Sequence, residues 1–107
     1  MSTEAVGVIP IIEADTNPPA TATDQATGWN VLFNAGGEVI LRAPLIGVTP
    51  FTPVTVSITE VDANGRPFIG GARMTVHNVR AFEGGVDTRV SIEFNGALQV
   101  RVSYLWV

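Results

Sequence analysis

The chain has 107 residues, with six arginines, no lysine, ten acidic residues, one histidine, no cysteine and a formal net charge of −4. This length makes one domain, and the composition excludes disulfides, thiolate catalysis, zinc–thiolate sites, Schiff-base catalysis and a lysine-bearing phosphate loop. The acidic balance argues against a nucleic-acid backbone as partner, and a single histidine argues against a transition-metal site.

Met1 to Ala5 is polar. It lacks the basic start and long apolar run of a signal peptide, and no apolar run in the chain reaches transmembrane length. The expectation is a chain with no membrane partner, cytoplasmic or particle-associated by default. Without cysteine the redox compartment is unreadable. Val6 to Ile12 is a short apolar run broken by Pro10, which points to an edge strand or an extended arm. Glu13 to Thr27 has no periodicity, two adjacent prolines and many threonines, the composition of a linker. Residues 1–27 are therefore read as N-terminal arm and linker, and residues 28–107 as the body. Such an arm either docks on a neighbouring subunit or is a first strand followed by a long surface loop.

In the body, Trp29 to Phe33 reads as a strand and residues 34–37 as a turn. Glu38 to Val48 is nearly continuous apolar sequence. Pro44 ends or bends it, and residues 39 to 41 need cover on both faces. Pro50 and Pro53 break the chain again. Val54, Val56 and Ile58 then alternate with Thr55, Ser57 and Thr59, a strand with one apolar face. Ala63-Asn64-Gly65 reads as a bulged three-residue turn that sets Asp62 opposite Arg66 as an ion pair. Pro67 to Val79 returns, with a bulge expected at Gly70-Gly71. Ala72, Met74 and Val76 fall on the core face with Val54 and Val56; Arg73, Thr75 and His77 fall on the other.

The last stretch alternates on both sides of Asn95-Gly96, a strong hairpin signal. A two-residue loop would mix apolar and charged residues on each face. A three-residue loop, Phe94-Asn95-Gly96, sets Ile92 opposite Leu98, Val90 opposite Val100, Thr88 opposite Val102 and Val86 opposite Tyr104. That register gathers one apolar face. It also sets Arg89 opposite Arg101, a like-charge pair that needs a carboxylate or an anion nearby. Gly65 and Gly96 are both expected at positive φ.

No segment has helical periodicity. The expected fold is all-β: a single antiparallel β-sandwich or flattened small barrel of about six to eight strands, preceded by the arm. Charged residues are 15 %, below the usual figure of about 25 %. A surface so poor in charge suits a homo-oligomer, whose interfaces are depleted in it. The small body, marginal on core burial alone, points the same way.

Little chemistry is legible. None of Ser57, Ser91 and Ser103 sits on a nucleophile elbow that His77 could serve, and His77 reads as a half-exposed strand residue. Asp62-Ala63-Asn64-Gly65 resembles the start of a calcium loop, but its series of oxygen ligands does not continue. The predicted polar face carries Arg73, Thr75, His77, Arg89, Ser91, Gln99, Arg101 and Ser103, donors suited to a glycan or a small anionic ligand. Trp29, Tyr104 and Trp106 offer flat stacking surfaces. The plainer readings are a solvated outer sheet and aromatics in a core or subunit interface. The candidate ligand set is Arg73, His77, Arg89, Gln99, Arg101 and Trp29; no catalytic residue, cofactor or metal is assigned. At the C-terminus Tyr104 and Trp106 point to the core, while Leu105 and Val107 need cover from the arm or a second subunit. The candidate interface is Ile9, Ile11, Ile12, Leu105, Trp106 and Val107. The expected role is a non-enzymatic, self-assembling structural subunit. The alternatives are an oligomeric, lectin-like carbohydrate-binding module and a small β-barrel enzyme of cyclase or isomerase type that works by cavity shape.

Overall fold

The computed structural model describes residues 9–14 and 27–107. These form eight strands: β1 Ile11–Glu13, β2 Thr27–Ala35, β3 Gly37–Pro44, β4 Val54–Val61, β5 Pro67–Phe68, β6 Met74–Phe82, β7 Gly85–Ile92 and β8 Leu98–Trp106. One sheet, here sheet A, has the order β1-β3-β7-β6; the other, sheet B, has the order β2-β8-β4-β5. All pairs are antiparallel except β1 with β3. The all-β sandwich expected from the alternation is present. No helix among the described residues is long and apolar enough to cross a membrane.

Alternation assigns the faces. Val31, Phe33 and Ala35 of β2 and Val100, Val102, Tyr104 and Trp106 of β8 face inward from sheet B. Val39, Leu41 and Ala43 of β3 and Val86, Val90 and Ile92 of β7 meet them from sheet A in one core. Only Val39 and Leu41 of the 39–41 run are buried; Ile40 lies on the outer face of sheet A, beside Ile11 in register. At the full-burial end of the scale, each of these valine, leucine and isoleucine side chains contributes about 1.5–3 kcal/mol.

The C-terminal hairpin is corrected. β7 pairs with β3 and β6, β8 pairs with β2 and β4, and the two belong to different sheets. Residues 93 to 97 cross between layers, with Gly96 at φ +122°. Both arrangements bury the same side chains, so the apolar pattern could not separate strands paired edge to edge from strands stacked face to face. The chain also crosses between the sheets at Gly36, between β2 and β3. A Cβ there would overlap the Gly96 carbonyl, so the two crossings pack against each other through glycine.

The return from Pro67 to Val79 is also divided. β5 joins β4 in sheet B, and β6 lies in sheet A, paired with β7 through a tight turn at Glu83-Gly84. The bulge falls at His77, between Val76 and Asn78, rather than at Gly70-Gly71. The turn at 63–65 has the expected bulged form, with Gly65 at φ +77° and its N–H donating to the Asp62 carbonyl. The Asp62 carboxylate, however, accepts from the backbone N–H groups of Asn64 (2.8 Å) and Arg66 (2.9 Å). The expected Asp62–Arg66 ion pair is replaced by these local bonds, which hold the turn. After β3 the chain is pinned to the β6–β7 turn: Leu45 N–H donates to the Gly84 carbonyl and Gly84 N–H to that of Val48.

The arm, in its described part, is an edge strand. Ile11, Ile12 and Glu13 pair in register with Ile40, Leu41 and Arg42. It therefore lies along sheet A and not over Leu105, which is on the outer face of sheet B. Residues 1–8 and 15–26, which carry the rest of the expected arm and most of the linker, lie outside the described residues.

Candidate functional site

Two outward sheet faces and one end of the sandwich carry the polar chemistry. On sheet A, outward residues from three paired strands line up in rows. The first row is Arg42, Asp87 and Arg80. Asp87 Oδ1 accepts from Arg42 Nε at 2.8 Å, and Oδ2 accepts from Arg42 Nη2 and Arg80 Nη2 at 3.0 Å each. Both guanidiniums also approach the Phe82 ring, 5.7 and 5.2 Å from its centroid, a cation–π arrangement. The hydrogen bond and charge of Asp87 raise the Arg42 pKa above its ordinary value. Desolvation opposes this, and Glu13, in register with Arg42 on β1, adds to it.

The second row is Ile40, Arg89 and Asn78. Arg89 reaches Glu38 in an ion pair, the carboxylate its position demanded. Ile40, Asn78, Arg80, Asp87 and Arg89 line a groove of about 270 Å³. The third row is Glu38, Ser91 and Thr75, and here the bulged His77 brings Nε2 to 2.6 Å from Ser91 Oγ. In these rows three guanidiniums, of Arg42, Arg80 and Arg89, thus lie among three carboxylates, of Glu13, Glu38 and Asp87.

Sheet B presents a different outer face. Asn30, Ser103 and Ser57 form one row, with Ser103 Oγ donating to Asn30 Oδ1 at 2.6 Å. Leu32, Arg101 and Thr59 form the next, and Gln99 lies opposite Asn34. Arg101 is the one charge among these paired positions, and its Nε is buried without a hydrogen-bond partner among the described residues.

The predicted ligand set is therefore dispersed. Arg73, His77 and Arg89 belong to the sheet A side, Gln99 and Arg101 to the opposite side of the sandwich. Trp29 faces inward against the core. Arg42, Asp87 and Arg80 escaped the sequence reading. The period-two pattern puts Arg42 on an outer face, but only the β3–β7–β6 pairing makes the three neighbours.

At one end of the sandwich Glu60 and Glu93 share an open cleft of about 280 Å³ with Phe68, Phe94, Leu98 and the Gly70–Ala72 segment. Two acids in one cleft were not legible in the sequence, because Glu60 is on β4 and Glu93 lies in the crossing after β7. A contiguous cleft of about 160 Å³ runs along Ile58, Phe68, Ile69 and Met74. His77 lines none of these clefts. Among the described residues no three His, Asp or Glu side chains are placed to hold a metal ion.

The candidate interface residues divide as well. Leu105 and Val107 are 52 % and 68 % exposed, and Ile11 is exposed beside them in kind. Ile9 is half-buried, and Ile12 packs on the core. Trp106 is 1 % exposed and belongs to the interior, so a truncation that removes it would unfold the body before it tested any contact. Comparisons with protein-family models, with curated proteins and with solved structures find no match for this chain.

Proposed function

We propose that the chain is a non-enzymatic, self-assembling structural subunit. The observation that carries this reading is the amount of large apolar side chain left exposed on the described residues: Ile11, Leu32, Ile46, Phe51, Phe68, Ile69, Val79, Phe94, Leu105 and Val107. Isolated exposed aliphatics are ordinary, but Phe68, Ile69 and Phe94 lie exposed together around adjoining clefts, and clustered exposed apolar side chains with polar groups beside them mark an interaction surface. The low charge content is the composition of a surface meant to be covered. A non-enzymatic role is favoured by the polar groups outside the Glu60–Glu93 cleft: His77 and Ser91 bond each other and line none of the clefts described above, and Asp87 is taken up by arginines. Mass measured by light scattering from sub-micromolar to millimolar protein tests the reading. A multiple of 11.3 kDa is expected, and a monomer throughout overturns it.

A second reading has one observation in its favour. The sheet A groove offers guanidinium, amide and carboxylate groups around the apolar floor of Ile40, a lining suited to a sugar ring. A glycan array tests it: binding abolished by Arg80→Ala and Asn78→Ala supports a lectin-like site, and no binding removes it.

A further inference from the structure

Sheet B ends in two edges that differ. On the β2 side the inward Val31, Phe33 and Ala35 are fully buried. On the β4 side the inward Val54, Val56 and Ile58 are only half-buried, as are Met74 and Val76 of β6 across the gap, and Val79 is exposed. β5 pairs with β4 at Glu60 and Val61 alone, which leaves Val54 to Thr59 with no strand on that side among the described residues. Asp62 N–H donates to the Arg66 carbonyl on the β5 side. Strand alternation therefore turns the N–H and C=O groups of Val54, Val56 and Ile58 to the same open side. This run has no charge, no proline and no bulge, the devices by which edges are kept from pairing. The facing edge, β6, has two of them: the bulge at His77 and the charge of Arg80.

We infer that two copies of the chain pair through β4, antiparallel about a two-fold axis at Val56; this deepens the self-assembly reading and rests on it. The axis sets Val56 opposite its own counterpart, Val54 opposite Ile58 and Thr55 opposite Ser57. Every residue then meets one of its own face, and the free backbone groups of Val54, Val56 and Ile58 meet each other. The two sheets B become one, and the half-buried Val54, Val56 and Ile58 gain the cover that Val31 and Phe33 already have. A second copy is the occupant because the edge is uncharged and so complementary to itself in the antiparallel sense. The same axis carries the segment before β4 toward the far end of the other β4. Phe51 there is 93 % exposed, and the far end holds the cleft beside Ile58, Phe68, Ile69 and Met74. A two-fold contact makes this insertion twice.

Three variants of the full chain and one control test the contact, all read against the wild-type mass. Because the chain has no cysteine, Val56→Cys introduces one thiol. Opposed residues of an antiparallel pair lie within disulfide range, so mild oxidation is expected to give a covalent dimer, while Gln99→Cys on the outer face gives none. Val56→Pro removes an N–H that faces the open side and not β8. Phe51→Ser alters a side chain that the single chain leaves in solvent. Val56→Pro and Phe51→Ser are each expected to weaken self-association by about tenfold or more, as loss of a central contact does, with the melting temperature of dilute Phe51→Ser protein unchanged. A wild-type oligomer whose mass survives both Phe51→Ser and Val56→Pro, with no Val56→Cys crosslink, overturns the β4 contact and leaves the self-assembly reading standing. A monomeric wild type overturns both.

Discussion

Tyr104 is the chain's only tyrosine. It is 2 % exposed, and its hydroxyl has no hydrogen-bond partner among the described residues. Burial pushes its ionisation well above the ordinary range, and the negative charge of Asp87 adds to the shift. In the unfolded chain the same hydroxyl ionises near pH 10. Above that pH the unfolded chain has lost a proton that the folded chain keeps. Stability is therefore fully present below about pH 10 and falls by about 1.4 kcal/mol for each further pH unit, until the folded hydroxyl itself ionises. The chain has no lysine or cysteine, and arginine stays charged beyond about pH 12, so no other side chain titrates in this window. Tyr104→Phe is expected to abolish the slope. At neutral pH it removes an unpaired buried polar group, so its stability should equal the wild type's or exceed it by about 1 kcal/mol. Urea unfolding followed by tryptophan fluorescence, in steps from about pH 8 to about pH 11.5, measures both effects. A wild type that is flat through the window, or a Tyr104→Phe protein with the same slope, refutes the assignment.

Three further outcomes follow from the packing. Gly36→Ala should cost about 2 kcal/mol or more, because its Cβ meets the Gly96 carbonyl, a backbone atom that cannot swing aside; wild-type stability would mean that the crossings are not in contact. Gly65→Val and Gly96→Val should each cost about 1 kcal/mol or more, since both positions have positive φ; chemical denaturation reads this, and two unchanged midpoints would refute it. Asp87→Asn should lower the melting temperature by more than Arg80→Gln, because the Asp87 side chain is only 12 % exposed and joins two guanidiniums while that of Arg80 is 66 % exposed and screened; the reverse order would show the Arg42 bonds to be idle.

Some of this molecule was written locally and some was not. Period-two alternation settles which side chains point inward, since successive residues of a strand must face opposite ways. Trp106 and Val100 could therefore be assigned to the core, and Leu105 and Arg101 to the outside. The turn at Ala63-Asn64-Gly65 was legible for a similar reason: Asp62 and Gly65 bond within four residues of each other. Strand partnership is decided elsewhere. Val86, Val90 and Ile92 bury the same surface whether β8 lies beside β7 or across from it. The choice falls to long-range packing: Gly36 against Gly96, Leu45 against the Glu83-Gly84 turn, and β3 and β6 on either side of β7. The candidate sites inherit that ambiguity. Arg89 and Arg101 separate to opposite faces, and Arg42, Asp87 and Arg80 converge from positions up to 45 residues apart along the chain, 42 to 87. The sequence by itself determined the faces, because alternation is a property of one strand. The neighbours on each face were decided by tertiary structure alone, because pairing depends on contacts between segments that no local pattern encodes.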